Sequence, residues 1–305
     1  MTADAAAQIQ QLLADLLQQR VDWKALCQPM PGLQQADILR TDLLHPVLSG
    51  NKALKLDGWW QRYRCGQYKK IITFGGTHSN HLHATAAFAH ALEIPLLCLV
   101  RGYAEAQLTK TLHDCMSWGA QLEFLDRRAY AARYDEAYLQ QLAEQHQALV
   151  IPEGGAGAEG MLGCVSLAQF AQHYDQFWLA AGSATTARAV EQGLQQLQAN
   201  TELVIVNVVA DQGALAHGWP VREGRAGRVR VVDGSLGGFA KQTPELAALM
   251  QRYDQLDLPL EPIYTAKLMH ALEQYRAGQA VKQQCKTLIL HSGGLQGRAD
   301  RGKYH

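Results

Sequence analysis

Three short turns hold the residues best suited to chemistry: Ser49-Gly50-Asn51-Lys52, Gly75-Gly76-Thr77-His78-Ser79-Asn80 and Gly182-Ser183-Ala184-Thr185-Thr186. Each follows a segment predicted as strand or loop and leads into one predicted as helix. In open parallel sheets, ligands bind at the carboxyl ends of strands, where such turns and helix N-termini present amide hydrogens to anions. Several in one chain point to a phosphorylated ligand, although tight strand-to-helix turns also use glycine for geometry alone. Lys52 adds an amine at the start of a helix, the unfavourable end of the helix dipole for a cation. Taken by itself it is either a reactive amine in a cleft or a solvated surface lysine.

Histidine supplies the other candidate cluster, His78, His81 and His83 with His90 further on. Their spacing is not that of H-E-x-x-H and no neighbouring carboxylate offers a base, so no metal centre is expected. The six cysteines, Cys27, Cys65, Cys98, Cys115, Cys164 and Cys285, form no C-x-x-C pair. A disulfide framework or zinc ribbon is therefore disfavoured, and most are expected to be small buried hydrophobes. Packing is the default role for Trp59, Trp60, Trp118, Trp178 and Trp219, the last of which could also approach a cleft.

The elements that must position these residues follow from the hydrophobic pattern. Ile9, Leu12, Leu13, Leu16 and Leu17 recur at helical spacing and predict an N-terminal amphipathic helix. Beyond Lys52, apolar runs at Ile71–Phe74, Pro95–Val100, Leu122–Leu125 and Leu149–Pro152 are separated by helical stretches such as His81–Leu92 and Leu108–Trp118. A second series, Phe177–Ala181, Leu203–Val209, Val229–Val232 and Thr287–His291, carries helical patterns at Ala187–Gln198 and Thr265–Arg276. This rhythm predicts parallel sheets flanked by helices in two α/β lobes, with the chain crossing near Pro46–Asn51 and Gly154–Gly163.

The chain has 305 residues, 48% of them hydrophobic and 18% charged, with 28 basic and 28 acidic side chains. That is a globular composition, and at this length two lobes sharing a cleft are expected rather than one core. Balanced charge gives no global field to recruit nucleic acid or an anionic membrane. No apolar run is long enough to span a bilayer, and the N-terminus lacks the pattern of a signal peptide, so a cytoplasmic protein is expected.

Leu48-Ser49-Gly50-Asn51-Lys52-Ala53-Leu54-Lys55-Leu56 and Thr73-Phe74-Gly75-Gly76-Thr77-His78-Ser79-Asn80-His81 resemble two motifs, G-N-K-x-x-K-L and G-G-x-x-S-N-H. These belong to the D-cysteine desulfhydrase and 1-aminocyclopropane-1-carboxylate deaminase family. Ile151-Pro152-Glu153-Gly154-Gly155 resembles its I-P-x-G-G linker, Pro262-Ile263-Tyr264-Thr265-Ala266-Lys267 its P-V-Y-T-G-K segment, and His291-Ser292-Gly293-Gly294-Leu295 its H-T-G-G-L turn. Order and spacing match from about residue 30 to residue 297.

The resemblance implies a two-domain, tryptophan-synthase-β-like fold (fold type II) that binds pyridoxal 5'-phosphate. It implies a larger cofactor-binding domain of residues 1–52 and 156–305, and a smaller α/β domain of residues 53–155. Lys52 would carry the cofactor as a Schiff base and then move protons at the substrate α carbon, which requires a free amine. Asn80 would bond the cofactor's phenolic oxygen and help bind substrate. Ser79 and His81 would hold the substrate carboxylate, and Tyr264 would pack by the pyridine ring as acid, base or charge stabiliser. The turn of Gly182, Ser183, Ala184, Thr185 and Thr186 would hold the phosphate. It departs from the family's G-S-G-G-T-x-A-G by losing two glycines and gaining Arg188.

Thr265 and Ser292 stand where cyclopropane-opening members place Glu and Leu. A hydroxyl cannot keep the pyridine nitrogen protonated as a carboxylate could, so the ring is a weaker electron sink and suits α,β-elimination. The resemblance therefore implies conversion of a small amino acid, D-cysteine first, to pyruvate, ammonia and sulfide. The alternatives are 1-aminocyclopropane-1-carboxylate deamination or another pyridoxal-phosphate lyase or deaminase reaction of the same family and, outside enzymes, a non-catalytic cofactor-binding protein. Cys164 in place of a family tyrosine and Gln296 in place of a proline alter the substrate pocket. A homodimer is expected from the resemblance alone.

Overall fold

A computed structural model describes residues 1–103, 108–219, 228–238, 240–278 and 285–298. The chain divides into two compact units of nearly equal length, Met1–Val21 with Leu44–Gly163 and Gln296–His305, and Asp22–Leu43 with Cys164–Leu295.

In the first unit four parallel strands are ordered β5-β4-β3-β6: β3 (Lys70–Gly76), β4 (Leu96–Arg101), β5 (Gln121–Leu125) and β6 (Ala148–Ile151). Strand alternation splits β3 between two cores. Ile71 joins a cluster with Phe88 and with Leu48, Ala53 and Leu56, while Ile72 and Phe74 meet Leu97, Leu99 and Tyr130 on the other face. The expected N-terminal helix is α1 (Ala3–Leu17), capped by Thr2 and seated through Ile9, Leu12 and Leu13. Two helices that matter for the site are α3 (Gly50–Arg64) and α4 (Asn80–Ala91).

The second unit holds a six-stranded sheet, β1-β2-β10-β7-β8-β9, parallel except for the antiparallel pair β1 (Cys27–Pro29) and β2 (Ala36–Arg40). Its inner strands β7 (Gln176–Ala181), β8 (Glu202–Asn207) and β10 (Thr287–His291) bury Trp178, Val204, Val206 and Ile289 against α11 (Pro244–Asp254) and α12 (Thr265–Ala277). The edge strands are β1 and β9 (Val229–Asp233), and α9 (Thr185–Gln196) follows β7.

Every strand expected in the two series is present. The pair β1 and β2 and the helix α11 are additional. The start of α11 has a sequence signal, Thr243 capping Leu246 with Pro244 in the first turn. Residues 1–21 and 44–52, which include the start of α3, sit with the four-stranded sheet, and so does most of α8 (Ala158–Cys164). The reason is backbone contact between α3 and α8. A Cβ on Gly58 would lie 1.9 Å from the Glu159 carbonyl oxygen, and one on Gly163 would lie 1.9 Å from that of Leu54.

The cysteine expectation holds for three positions. Cys98, Cys115 and Cys164 are buried, Cys27 and Cys285 half-buried, and Cys65 exposed.

Candidate active site

Lys52 stands in the first turn of α3 and is half-buried, its Nζ donating to Asn51 Oδ1 at 3.1 Å. One turn on, Lys55 is only 2% exposed and donates to the Gly154 carbonyl at 3.0 Å. That carbonyl belongs to the turn Glu153–Gly155, where Glu153 accepts from Tyr130 Oη at 2.9 Å and Arg133 Nε at 2.7 Å. Tyr130 and Arg133, which sequence reasoning did not single out, thus hold the turn that holds Lys55.

The strand β3 ends at Gly76 and the chain enters α4 with Ser79 as its cap, Oγ accepting from Leu82 N at 3.2 Å. Gly75 is required by this packing. A Cβ there would lie 2.5 Å from Leu82 Cγ and 2.7 Å from Ser79 Oγ. Asn80 Oδ1 accepts from Gln296 Nε2 at 2.8 Å, so the residue that departs from the family pattern orients the asparagine.

His81 is 2% exposed, and its Nε2 lies 2.7 Å from Thr73 Oγ1. The Thr73 hydroxyl donates to the Ile151 carbonyl at 2.8 Å, so its oxygen accepts and His81 is assigned as the Nε2–H tautomer. Burial first, then the charges of Lys52 and Lys55, push its pKa well below 6.5 and keep the ring neutral. The other ring nitrogen, Nδ1, is 3.4 Å from a hydroxyl, that of Thr85, which donates instead to the His81 carbonyl. His81 is therefore an interior group whose Nε2 proton is already committed.

The remaining candidate residues lie on the second unit. β7 delivers Gly182, and the turn passes through Ala184 at φ 61°, a left-handed conformation, before α9 begins at Thr185. No side chain caps α9. Ser183 Oγ and Thr185 Oγ1 are 3.2 Å apart, and Thr185 and Thr186 are each 5% exposed. Arg188 is exposed and rests over the Trp219 ring at 4.4 Å, and Trp219 donates to Glu191 at 2.7 Å. Trp219 is thereby an 8% exposed packing residue.

Tyr264 meets this turn directly, since a Cβ on Gly182 would lie 3.1 Å from its hydroxyl oxygen. A buried carboxylate that sequence reasoning missed sets the tyrosine's position. Glu261 accepts from the amides of Ile263 and Tyr264, the latter at 2.7 Å. Thr265 answers it, its hydroxyl donating to the Glu261 carbonyl at 3.1 Å and accepting from the Glu261 amide at 2.6 Å. The only sequence signal was a glutamate just before a helix start. Ser292 is half-buried and follows His291, whose Nε2 donates to the Pro259 carbonyl at 2.8 Å and whose Nδ1 is 3.2 Å from Asp42 Oδ1. Arg40 grips the same Asp42 at 2.8 Å.

The candidate residues thus fall into two groups. Lys52, Ser79, Asn80 and His81 belong to the first unit, and Gly182–Thr186, Tyr264, Thr265 and Ser292 to the second. Among the described residues, no three His, Cys, Asp or Glu side chains gather as metal ligands, and no helix is long and apolar enough to cross a membrane. The donors present fit pyridoxal phosphate: a lysine amine, an asparagine amide, and a hydroxyl-rich turn at the start of a twelve-residue helix that has no side-chain cap.

Comparison with known proteins agrees with that donor set. A D-cysteine desulfhydrase of Klebsiella pneumoniae is 28% identical over 284 residues, covering 84% of this chain and 86% of that protein. One of Serratia proteamaculans is 28% identical over 288 residues, covering 84% and 86%. A crystal structure described as an ACC deaminase homologue superposes with a TM-score of 0.73 at 26% identity, covering 89% of each chain. The profile of the family described as pyridoxal-phosphate dependent enzyme matches residues 38–293, which span both groups of candidate residues, and the chain belongs to that family.

Proposed function

We propose that the enzyme catalyses α,β-elimination from a small amino acid bearing a β leaving group, and that D-cysteine, yielding pyruvate, ammonia and hydrogen sulfide, is the substrate. The observation that carries this reading is the commitment of Thr265. Its hydroxyl is bound on both sides by the Glu261 backbone, so the position after Tyr264 offers no carboxylate and no spare donor to the pyridine nitrogen. Ser292, the other residue assigned to that nitrogen, is uncharged. Bound pyridoxal phosphate supplies an electron sink for the α carbon, and an unprotonated ring makes that sink shallow. Elimination tolerates a shallow sink because the departing sulfur takes the electron pair.

In this reading Lys52 Nζ exchanges with the substrate amine and removes the α proton. The Ser79 hydroxyl, free to donate while its oxygen caps α4, and the amide of Asn80 hold the substrate carboxylate. His81 supports them from inside, its ring neutral and its Nε2 proton on Thr73. The hydroxyls of Ser183, Thr185 and Thr186 take the phosphate, and Tyr264 Oη protonates the leaving sulfur. A cytoplasmic homodimer is the setting proposed on the resemblance, and sedimentation equilibrium tests the dimer.

The test is absorbance from the near ultraviolet to the visible on reconstituted protein, with D-cysteine, L-cysteine, D-serine or 1-aminocyclopropane-1-carboxylate added and pyruvate assayed. A cofactor band that D-cysteine shifts, with pyruvate released, is expected. Lys52→Ala is expected to lose both the band and turnover. A band unmoved by D-cysteine, or pyruvate from another member of the panel only, overturns the substrate. An unchanged band in Lys52→Ala overturns the role of Lys52.

A further inference from the structure

Lys267 lies in the interior of the second unit at 0% exposure, on α12 one turn past Tyr264. Its ammonium donates to the carbonyl oxygens of Gly238 at 2.6 Å and Ser235 at 2.8 Å, and to that of Val208 at 3.5 Å. Val208 follows β8, and Ser235 and Gly238 follow β9, so the oxygens come from the carboxyl ends of two paired parallel strands. The side chains of the strand behind it and of its helix neighbours are buried. Val206, Val208, Ala266 and Leu268 are each 0–1% exposed. The chain after β9 runs close by, since a Cβ on Gly234 would lie 2.3 Å from Val206 Cγ1 and 3.8 Å from the Lys267 carbonyl oxygen.

An ammonium buried among apolar side chains is strongly disfavoured unless dipoles replace its water. Here backbone carbonyls do so, by the same chemistry through which proteins hold a dehydrated potassium ion. We propose that Lys267 is a tethered cation filling a monovalent-cation site built by the carbonyls of Val208, Ser235 and Gly238. The tether joins two strand ends to one helix, and the start of that helix touches a third. Tyr264, at the start of α12, contacts Gly182 after β7, and Lys267 grips the chain after β8 and β9. A cation carried covalently keeps this arrangement at any salt composition. The inference concerns the cation site and is independent of the substrate proposed above.

Lys267→Ala opens room between the oxygens for a potassium or ammonium ion, whereas Lys267→Met fills that room with an uncharged thioether. The measurement is the thermal midpoint of each holoenzyme in choline chloride, potassium chloride and ammonium chloride at one ionic strength. Wild type is expected to melt alike in all three. Lys267→Ala is expected to melt lower in choline and to recover by about 5 °C or more, saturably, with potassium or ammonium. Lys267→Met is expected to melt lower without recovery. Equal midpoints for Lys267→Ala in all three salts, or its failure to fold in all of them, overturns the proposal. So does equal recovery of Lys267→Met, which marks a general salt effect.

Discussion

The turn from β3 into α4 and the turn from β7 into α9 each carry a parallel strand into a helix through a glycine, and they finish the helix differently. The first is closed by its own side chain, Ser79 accepting from Leu82 N, with Asn80 and His81 tied to Gln296 and Thr73. The second has no side-chain cap and turns through Ala184 at φ 61°. A helix start satisfied from within orients side chains, whereas one lacking a cap suits an anion taken at its amides. The two glycines differ in the same sense. Gly75 is walled in by Leu82 and Ser79 close to their backbones, while Gly182 faces the far end of the Tyr264 side chain.

Substitution of Gly75 tests the rigid side of the comparison and carries the largest expected effect. Gly75→Ala places a methyl 2.5 Å from Leu82 Cγ, and neither Leu82 nor Ser79 can retreat without moving α4. A loss of about 3 kcal/mol in chemical denaturation is expected, together with loss of activity. A stability within about 0.5 kcal/mol of wild type breaks the comparison.

Acid distinguishes the turns next. His81 has a folded-state pKa depressed by burial, so its contribution to stability is complete above the unfolded value of 6.5 and is lost as pH falls below it. Each pH unit in that window removes up to about 1.4 kcal/mol. The residues Gly182–Thr186 carry no titratable side chain. Amide exchange, corrected for its intrinsic pH dependence, is expected to quicken in α4 relative to α9 below pH 6.5. His81→Asn is expected to abolish that pH dependence, and persistence of it in the variant removes His81 as the cause.

Gly182→Ala sharpens the other side. The added methyl sits 3.1 Å from Tyr264 Oη, so the ring must yield by a few tenths of an ångström. A stability loss near 1 kcal/mol is expected with a turnover loss of about tenfold, because a small displacement of a reacting group costs more in rate than in folding. Equal turnover in Tyr264→Phe and Gly182→Ala/Tyr264→Phe, measured as initial rates of pyruvate release, would place Tyr264 Oη at the centre of the effect.

The smallest effect is a gain. Ala184 occupies a left-handed conformation that costs an L-residue about 1–2 kcal/mol, and the family pattern has glycine there. Ala184→Gly is expected to stabilise by about 0.5 kcal/mol after the added entropy of the unfolded chain. A lower melting midpoint in this variant shows that the alanine methyl makes contacts worth more than the strain.

Much of the fold was legible in the sequence because its signals are local. Alternating apolar runs marked each strand of both series, and Leu and Ile at helical spacing marked α1. The short strands β1, at the sheet edge, and β2 beside it were not legible, since three to five residues carry too little periodicity to tell from loop. Nor was the close approach of α3 and α8 at Gly58 and Gly163, which only the folded chain brings together.

The sequence by itself determined the family and set a candidate lysine and three candidate glycine turns in order, because turn chemistry and motif order are written in consecutive residues. The tertiary structure alone decided which of those groups are already occupied. His81 gives its Nε2 proton to Thr73, Thr265 spends its hydroxyl on Glu261, Gln296 orients Asn80, and Lys267 is enclosed by carbonyls from two strand ends. A donor's availability depends on what lies within about 3 Å of it. For Asn80 and Gln296 those neighbours stand 216 positions apart, a distance over which no local pattern carries information.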